Sequence, residues 1–346
     1  MGEPRPTMNT VARLAGVSPM TVSNAYNRPD QIAVATRQRV LAVAGRLGYP
    51  GPNPAGRTLR RGRSGTIGLL LTEGLPYAFA DPGMLTFLHG MATELAAASQ
   101  ALLLIPTGND PANIVLRSAI VDALVLRAVS PDDPAIAAAR DRGVPLVTGG
   151  GSRIAGIPFV GIDNARSAKK AAVHLLELGH TRFGLLAVPS AAAGNAPRLG
   201  LHDRTRGFLA ALADAGIAPR RLRVVEASDN DRGAGRAAGE RLLAGRTADR
   251  PTAVFAVTDV LAFGMLDAAS AAGRAVPGEL SVVGFDDVAE AARSIPPLTT
   301  VSHLLYEQGR TAVRVVLAAV DGRVVRPARM TPHLVLREST APPPGR

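Results

Sequence analysis

The sequence predicts an all-α head carrying a helix-turn-helix, followed by an α/β core of two lobes, each built on a parallel sheet. Three observations carry this. Charge is concentrated at the start: ten arginines against Glu3 and Asp30 give residues 1–63 a charge of +8, leaving +3 of the total +11 for the other 283 residues. Apolar residues at helical spacing run through the same basic stretch, a pattern a disordered arm would lack. From Thr66 onward, short apolar runs alternate with Ala-rich stretches of helical length, and the pattern restarts after Gly179-His180. Such alternation argues for parallel sheets covered by helices.

At 346 residues and 47% hydrophobic, the chain can bury cores in two or three domains. It contains no cysteine, which removes disulfides, thiolate metal sites and cysteine nucleophiles and fits a reducing compartment. MGEPRPTMNTVARLAG has no apolar run of the signal-peptide kind, and no stretch reaches the roughly 18 apolar residues of a membrane helix. The expected location is cytoplasmic, with no membrane partner.

In the head, residues 1–49, Thr7–Ala15 reads as a helix with Val11, Leu14 and Ala15 inward, broken at Gly16. Ser18 suits an N-cap and Pro19 the first position of a second helix. Val22, Ala25 and Tyr26 share one face of it, leaving Pro19, Met20, Ser23 and Asn24 on the other. That pairing is a helix-turn-helix whose front is small and uncharged, suited to a DNA groove. Residues 27–35 form a loop. Thr36–Leu47 is the third helix, with Val40, Val43, Ala44 and Leu47 inward, closed by Gly48 and Pro50. A basic head on a nearly balanced body is the electrostatic footprint of a nucleic-acid-binding module. Residues 50–63 read either as a flexible basic linker or as a hinge that becomes helical at Ala55–Arg60 against a partner, with Leu59 as a minor-groove wedge.

In the core, residues 64–340, strands are expected at Thr66–Leu71, Ala101–Ile105, Ala123–Leu126, Pro145–Thr148 and Phe159–Ile162. A second set follows at Phe183–Val188, Arg223–Glu226, Ala253–Val257 and Ser281–Phe285. Helices fit Met84–Ser99, Arg204–Ala215, Arg232–Ala244, Asp259–Ala272 and Leu305–Val320, and His333–Leu336 is a last strand. The first lobe is expected at about 64–161 plus 302–324, the second at about 162–301 plus 325–340, and 341–346 as a disordered tail.

Other chemistry finds little support. No G-x-x-x-x-G-K-[ST], H-E-x-x-H or G-x-S-x-G occurs. Gly233–Gly239 resembles a dinucleotide loop but has its last glycine one residue late and follows Asp231-Arg232 rather than a strand. Gly149–Ser152 reads as a loop after a strand, and the six histidines show no metal-ligand spacing. No catalytic residue, metal or cofactor is expected.

The ordered matches across residues 7–61, from T-M-N-T-V-A-R-L-A-G-V-S-P-M-T-V-S-N-A-Y-N to P-N-P-A-G-R-T-L-R-R, resemble the DNA-binding head of the lactose repressor (LacI/GalR) family. The resemblance implies that the second helix lies in the major groove. Pro19, Met20 and Asn24 would contact bases, with Thr21, Ser23, Asn27 and Arg37 at or near the backbone. Thymine methyls suit Pro19 and Met20, and adenine suits Asn24. It also implies a hinge helix that opens the minor groove with Leu59, supported by Asn53, Arg57 and Arg60. The chain departs from the family's usual pattern at Thr10 (Asp), Asn24 (often Arg), Ala33 (a capping Ser) and Gly56 (Ala). One residue is added between Tyr49 and Asn53.

The core is similar to the family's periplasmic-binding-protein-like core, on D-N at Asp163-Asn164, H-L-L-E-L-G-H at 174–180, R-T-R-G-F at 204–208, T-A-V-F-A-V-T-D-V-L-A-F-G at 252–264, S-V-V-G-F-D-D at 281–287 and P-P-L-T-T-V at 296–301. Carried over, Asp163, Arg204 and Asp286 become effector contacts between the lobes. Thr258 stands where Asn is usual. Tyr77, Phe79, Asp81 and His303 would supply further walls. Carboxylates and a guanidinium suit a polyol, and an inter-lobe salt bridge is the structural alternative for Asp286 and Arg204. The resemblance implies a dimeric, ligand-responsive regulator, a repressor released from a near-palindromic operator by a carbohydrate-like effector. The rival is a solute-binding protein of a transport system.

Overall fold

A computed structural model describes residues 6–52, 62–72, 74–107, 114–127, 129–189, 199–246 and 249–345. It divides into two units, residues 1–64 and 65–346.

The first unit holds α1 (Met8–Ala15), α2 (Pro19–Asn27), a 3-10 turn at Pro29–Gln31 and α3 (Val34–Arg46). Thr7 caps α1 through a reciprocal box: its hydroxyl accepts from the Thr10 amide, and Thr10 Oγ1 accepts from the Thr7 amide. The family's usual Asp at position 10 is therefore replaced by a side chain that still closes the box. Gly16 ends α1 in the left-handed conformation at φ 64°. Ser18 caps α2 by accepting from the Thr21 amide at 3.1 Å, with Pro19 in the first turn. The core is Val11, Ala12, Ala15, Val22, Ala25, Val40, Val43 and Ala44, closed on one side by an edge-on Tyr26–Tyr49 pair. Leu14 departs from the expected inward stripe and is 52% exposed, with Ala12 buried in its place. Gly51, at φ 112°, lies against Tyr26, and a Cβ there would sit 3.1 Å from the ring. The proposed hinge residues Asn53, Arg57, Leu59 and Arg60 lie outside the described residues.

The second unit contains two six-stranded sheets among its described residues. The first lobe is entered through β1 (Thr66–Leu71), α4 (Leu75–Ala80), α5 (Pro82–Ala97), β2 (Ala101–Pro106), α6 (Ile114–Ser118), β3 (Ala123–Arg127), α7 (Pro134–Asp141), β4 (Leu146–Gly149) and β5 (Phe159–Gly161). The second lobe follows with α8 (Asn164–Glu177), β6 (Phe183–Ala187), α9 (Leu199–Asp214), β7 (Leu222–Glu226), α10 (Arg232–Leu243), β8 (Ala253–Ala256), α11 (Asp259–Ala271), β9 (Ser281–Asp286) and β10 (Thr299–Ser302). The chain returns through α12 (Leu305–Val320) and β11 (Ala328–Arg329), then crosses again to β12 (Leu334–Val335). Strand orders are β11-β5-β4-β3-β1-β2 and β12-β10-β9-β8-β6-β7, parallel except for β12 against β10.

Each sheet is apolar because helices cover both faces, as parallel sheets require. Phe87, Met91 and Val313 pack one face of the first sheet, and Leu116, Ile136 and Ala139 the other. Phe183, Phe208, Phe255 and Phe285 anchor the second lobe.

Two expected boundaries shift. Ala328–Arg329, assigned from sequence to the second lobe, pairs in parallel with β5 of the first sheet, because Ala328 packs into the same apolar cluster as Val313 and Val316 of α12. The tail does not begin free at 341. The Ala341 amide donates to Ser281 Oγ at 3.0 Å, and its carbonyl accepts from Ser281 Oγ and faces His180 Nε2, both at 2.9 Å. Backbone groups of the tail thereby join the buried polar cluster of His180, Thr252 and Ser281.

Candidate functional site

In the head, the packed back of α2 orients its front. Pro19 and Met20 are exposed, Met20 at 63%, while Thr21, Ser23, Asn24 and Asn27 are half-buried. Thr21 Oγ1 bonds Ser18 Oγ at 2.9 Å, and Asn27 Nδ2 donates to the Ser23 carbonyl at 2.9 Å. Arg37 reaches back from α3 to donate from Nε to the Ala25 carbonyl at 3.2 Å, tying the end of α2 to the third helix. The motif is therefore a rigid helix presenting Pro19, Met20 and Asn24.

In the core, Arg204 on α9 is 3% exposed and gathers the second lobe around it. Nη1 lies 3.0 Å from Asp286 Oδ1 and donates to the Val257 carbonyl at 2.8 Å; Nε donates to Asn164 Oδ1 at 3.1 Å. The guanidinium also stacks 3.8 Å over the Phe285 ring. Nη2 is 2.9 Å from His303 Nδ1, and that nitrogen is 2.9 Å from Asp286 Oδ1. One imidazole nitrogen cannot both accept from Arg204 and donate to Asp286, so the tautomer decides which bond forms. Asp286 ends β9 at φ 136°, and Leu304, after the β10 crossing, has φ 57°. These are sparsely populated backbone conformations for such residues, and strain of this kind clusters at functional sites.

Burial penalises every charge here. It raises the Asp286 carboxyl, but the Arg204 guanidinium and His303 outweigh it and hold the group below its ordinary value. Burial, with the positive charge of Arg204 added, pushes His303 down to about 4. Asp259, fully buried behind the site, is pushed up to about 7 by burial and by the nearby Asp286 charge. It accepts from Thr300 Oγ1 at 2.5 Å and from the Val288 amide at 3.0 Å.

A second chain of hydrogen bonds joins the lobes. Tyr77 OH donates to Asp81 Oδ2 at 2.7 Å on the first lobe, where Asp81 Oδ1 also caps α5 by accepting from the Met84 amide. On the second lobe Thr258 Oγ1 donates to Asn230 Oδ1 at 2.7 Å. Asn230 Nδ2 then reaches across to the Tyr77 oxygen and Asp81 Oδ2, both at 3.2 Å. A Cβ on Gly83 would sit 3.0 Å from Asp81 Oδ1 and 4.0 Å from Asp286 Oδ2, so carboxylates of the two lobes lie close together beside Gly83.

Six of the eight candidates from sequence therefore converge: Tyr77, Asp81, Arg204, Thr258, Asp286 and His303. Phe79 is 61% exposed and takes no part in these bonds. Asp163 caps α8 by accepting from the Arg166 amide at 3.0 Å and pairs with Arg329 on β11; its neighbour Asn164 is the residue that meets Arg204. Sequence reasoning missed Asn164 and Asn230. Asn230 follows the carboxyl end of β7, the place where open α/β sheets bind ligands, and that rule was the available signal.

Comparison with known proteins fits this geometry. Residues 7–53 match the family of bacterial regulatory proteins of the lacI type, and residues 172–340 match a periplasmic binding protein-like domain. The HTH-type transcriptional regulator IpsA of Corynebacterium glutamicum is 36% identical over 342 residues, covering 93% of each chain. The chain belongs to the LacI family. The regulator is also 33% identical to the HTH-type transcriptional regulator CelR of Thermobifida fusca, over 97% of this chain and 98% of that one. A solved complex of a CelR with cellobiose superposes with a TM-score of 0.67 at 31% identity, over 97% of this chain and all of that one. As a LacI-family protein with both parts present, it is a ligand-responsive, DNA-binding transcriptional regulator, and the transport-protein alternative falls. Its named relatives are regulators rather than enzymes. Among the described residues no helix is long and apolar enough to cross a membrane.

Proposed function

We propose that the regulator is a repressor that binds a near-palindromic operator as a homodimer in the cytoplasm and is released by a sugar-like polyol seated between its lobes. The observation that carries the effector reading is the bond chain Tyr77–Asp81–Asn230–Thr258. It brings hydroxyl, carboxylate and amide groups from both lobes together, near Arg204 and Asp286. A polyol satisfies such groups with its own hydroxyls, each a donor and an acceptor. Cellobiose in the CelR complex supports the class.

Binding would replace the direct Asn230 bonds with bonds to the ligand and so change how the lobes are held. Residues 50–63, with Asn53, Arg57, Leu59 and Arg60 in the minor groove, are the proposed route of coupling to the head. A ligand shifts operator affinity only by its differential affinity for the two states. Two heads on a two-fold axis call for two half-sites, read by Pro19, Met20 and Asn24, while Thr21, Ser23, Asn27 and Arg37 hold the backbone.

The test is a thermal-shift screen of sugars, nucleosides and small metabolites, followed by operator binding with and without the hit. A sugar that raises the melting temperature and weakens operator binding is the expected result. A hit that strengthens operator binding would replace release with co-repression, and a hit confined to non-polyols would overturn the effector class.

A further inference from the structure

Gln308 lies in the first turn of α12 and is wholly buried. Its Nε2 donates to the His303 carbonyl at 2.5 Å, which fixes the amide, since the reverse orientation would set oxygen against oxygen. Its Oε1 is buried and, among the described residues, has no hydrogen-bond partner. Leaving a buried acceptor unpaired carries a desolvation cost that an apolar side chain of the same shape avoids. The bond to His303 explains the donor end of this side chain and leaves the acceptor end without a purpose in the fold.

The surroundings of Oε1 supply one. A Cβ on Gly150, which has φ 75°, would lie 3.4 Å from Oε1 and collide with Arg127 Nη1. Arg127 ends β3, donates from Nη1 to the Gly149 carbonyl at 3.0 Å and lies 4.7 Å over the Phe87 ring. Gly149 ends β4. Oε1 therefore sits at the carboxyl ends of two adjacent parallel strands of the first lobe. Its amide partner, His303, reaches Asp286 and Arg204 on the second.

We propose that Gln308 is a specificity-determining residue of the inter-lobe site. Its Oε1 accepts a hydrogen bond from a hydroxyl of the bound ligand, so the first-lobe end of the site takes a polar, hydroxyl-bearing group and discriminates against an apolar substituent. This rests on the reading of that site as a polyol effector site. A site built to hydrogen-bond a ligand hydroxyl rejects the analogue lacking it more strongly than an apolar site rejects an added group.

The test uses the full-length regulator and Gln308→Met, titrated calorimetrically with D-glucose, D-ribose and cellobiose, with melting temperatures taken without sugar. The expected result is that Q308M melts within about 3 °C of the parent or above it. It should bind whichever of these sugars the parent binds about tenfold or more weakly, a loss of about 1.4 kcal/mol. One monodeoxy analogue of that sugar should bind parent and Q308M alike. Equal affinity of parent and variant for the intact sugar overturns the assignment of Gln308 alone. So does a Q308M that melts more than about 5 °C lower or does not fold, because the amide then serves the fold. If none of the three sugars binds the parent, the polyol reading fails first, and the Gln308 assignment goes with it.

Discussion

On α2 of the head, Val22 and Ala25 are fully buried while Pro19 and Met20, on the opposite face, are exposed. The side chains that pack the head's core and those proposed to meet bases, Pro19, Met20 and Asn24, are different sets. Between the lobes the sets coincide. Arg204 is a candidate effector contact and also the guanidinium that neutralises Asp286, satisfies the Val257 carbonyl and stacks on Phe285. Thr258 bonds Asn230 of the inter-lobe chain and caps α11. An exposed recognition surface can change its specificity without endangering the fold. A buried one is constrained wherever a proposed contact is also a structural partner, as Arg204 and Thr258 are and Gln308 Oε1 is not.

The largest test of that contrast is Arg204→Met. It leaves Asp286 buried without its guanidinium, and breaking a buried ion pair this way costs about 3–5 kcal/mol. Urea unfolding of the full chain should report that loss, and Arg204→Met with Asp286→Asn should recover much of it. A single-variant loss below about 1 kcal/mol would place Arg204 with the head residues, functional but dispensable to the fold.

Titration gives the next effect. Asp259 sits at about 7 when folded, against an ordinary 3.8, so it binds more protons folded than unfolded across that window. Its contribution is fully present below pH 3.8 and is lost as pH rises towards 7. His303 runs the other way. At about 4 folded against 6.5, its contribution is present above 6.5 and lost as pH falls through 4. Between pH 4 and 6.5 the two slopes oppose, each limited to about 1.4 kcal/mol per pH unit. In His303→Gln the opposing limb of that imidazole is gone, so between pH 4.5 and 6.5 the change of stability with rising pH should shift toward loss relative to the parent, with His174 and His180, also lowered by burial, common to both. A variant profile parallel to the parent's would show that His303 does not titrate with folding.

Much of this was legible in order along the chain, and the exceptions have physical causes. Ser18, Pro19 and Gly16 announce the head because caps and turns are local chemistry, whereas Thr7, taken for the first helical residue, proves to be the cap of α1. Leu305–Val320 was read to the residue because its apolar face is long and regular. Leu14 was misplaced because in an eight-residue helix the stripes Val11-Leu14-Ala15 and Val11-Ala12-Ala15 are equally periodic, and only tertiary packing chooses between them. Arg204, Asp286 and His303 are far apart in sequence, and family resemblance rather than spacing brought them together. Asn230 had no such help: in S-D-N-D only its place just after the carboxyl end of a strand marks it out from other polar loop residues. Gln308 falls on the buried stripe of a helix, where an amide signals nothing until its unpaired oxygen is seen.

Asn24→Ala probes the other side of the contrast. If Asn24 reads adenine, operator affinity falls by about 1–3 kcal/mol, with relaxed preference at one base pair. The melting temperature should barely move, since the side chain supports no core contact of the head. A loss uniform across sequences would instead assign Asn24 to phosphate.

The smallest effect isolates folding from recognition within the head. Ala33 stands at the N-cap of α3 with φ −58° and ψ 138° and makes no side-chain bond, whereas Thr7 and Ser18 cap α1 and α2 with their hydroxyls. In Ala33→Ser, a hydroxyl at that position can accept from the free amide of Thr36, a gain of about 1 kcal/mol. Since α3 supplies Val40, Val43 and Ala44 to the head's core, thermal unfolding of the head should shift upward. Operator affinity should stay within about twofold, because the new bond lies off α2 and is worth less than one base contact. Stabilisation with unchanged affinity would mean that the head's fold and its specificity vary independently. A parallel change in affinity would mean that the seating of α3, through the Arg37–Ala25 bond, sets the pose of the recognition helix.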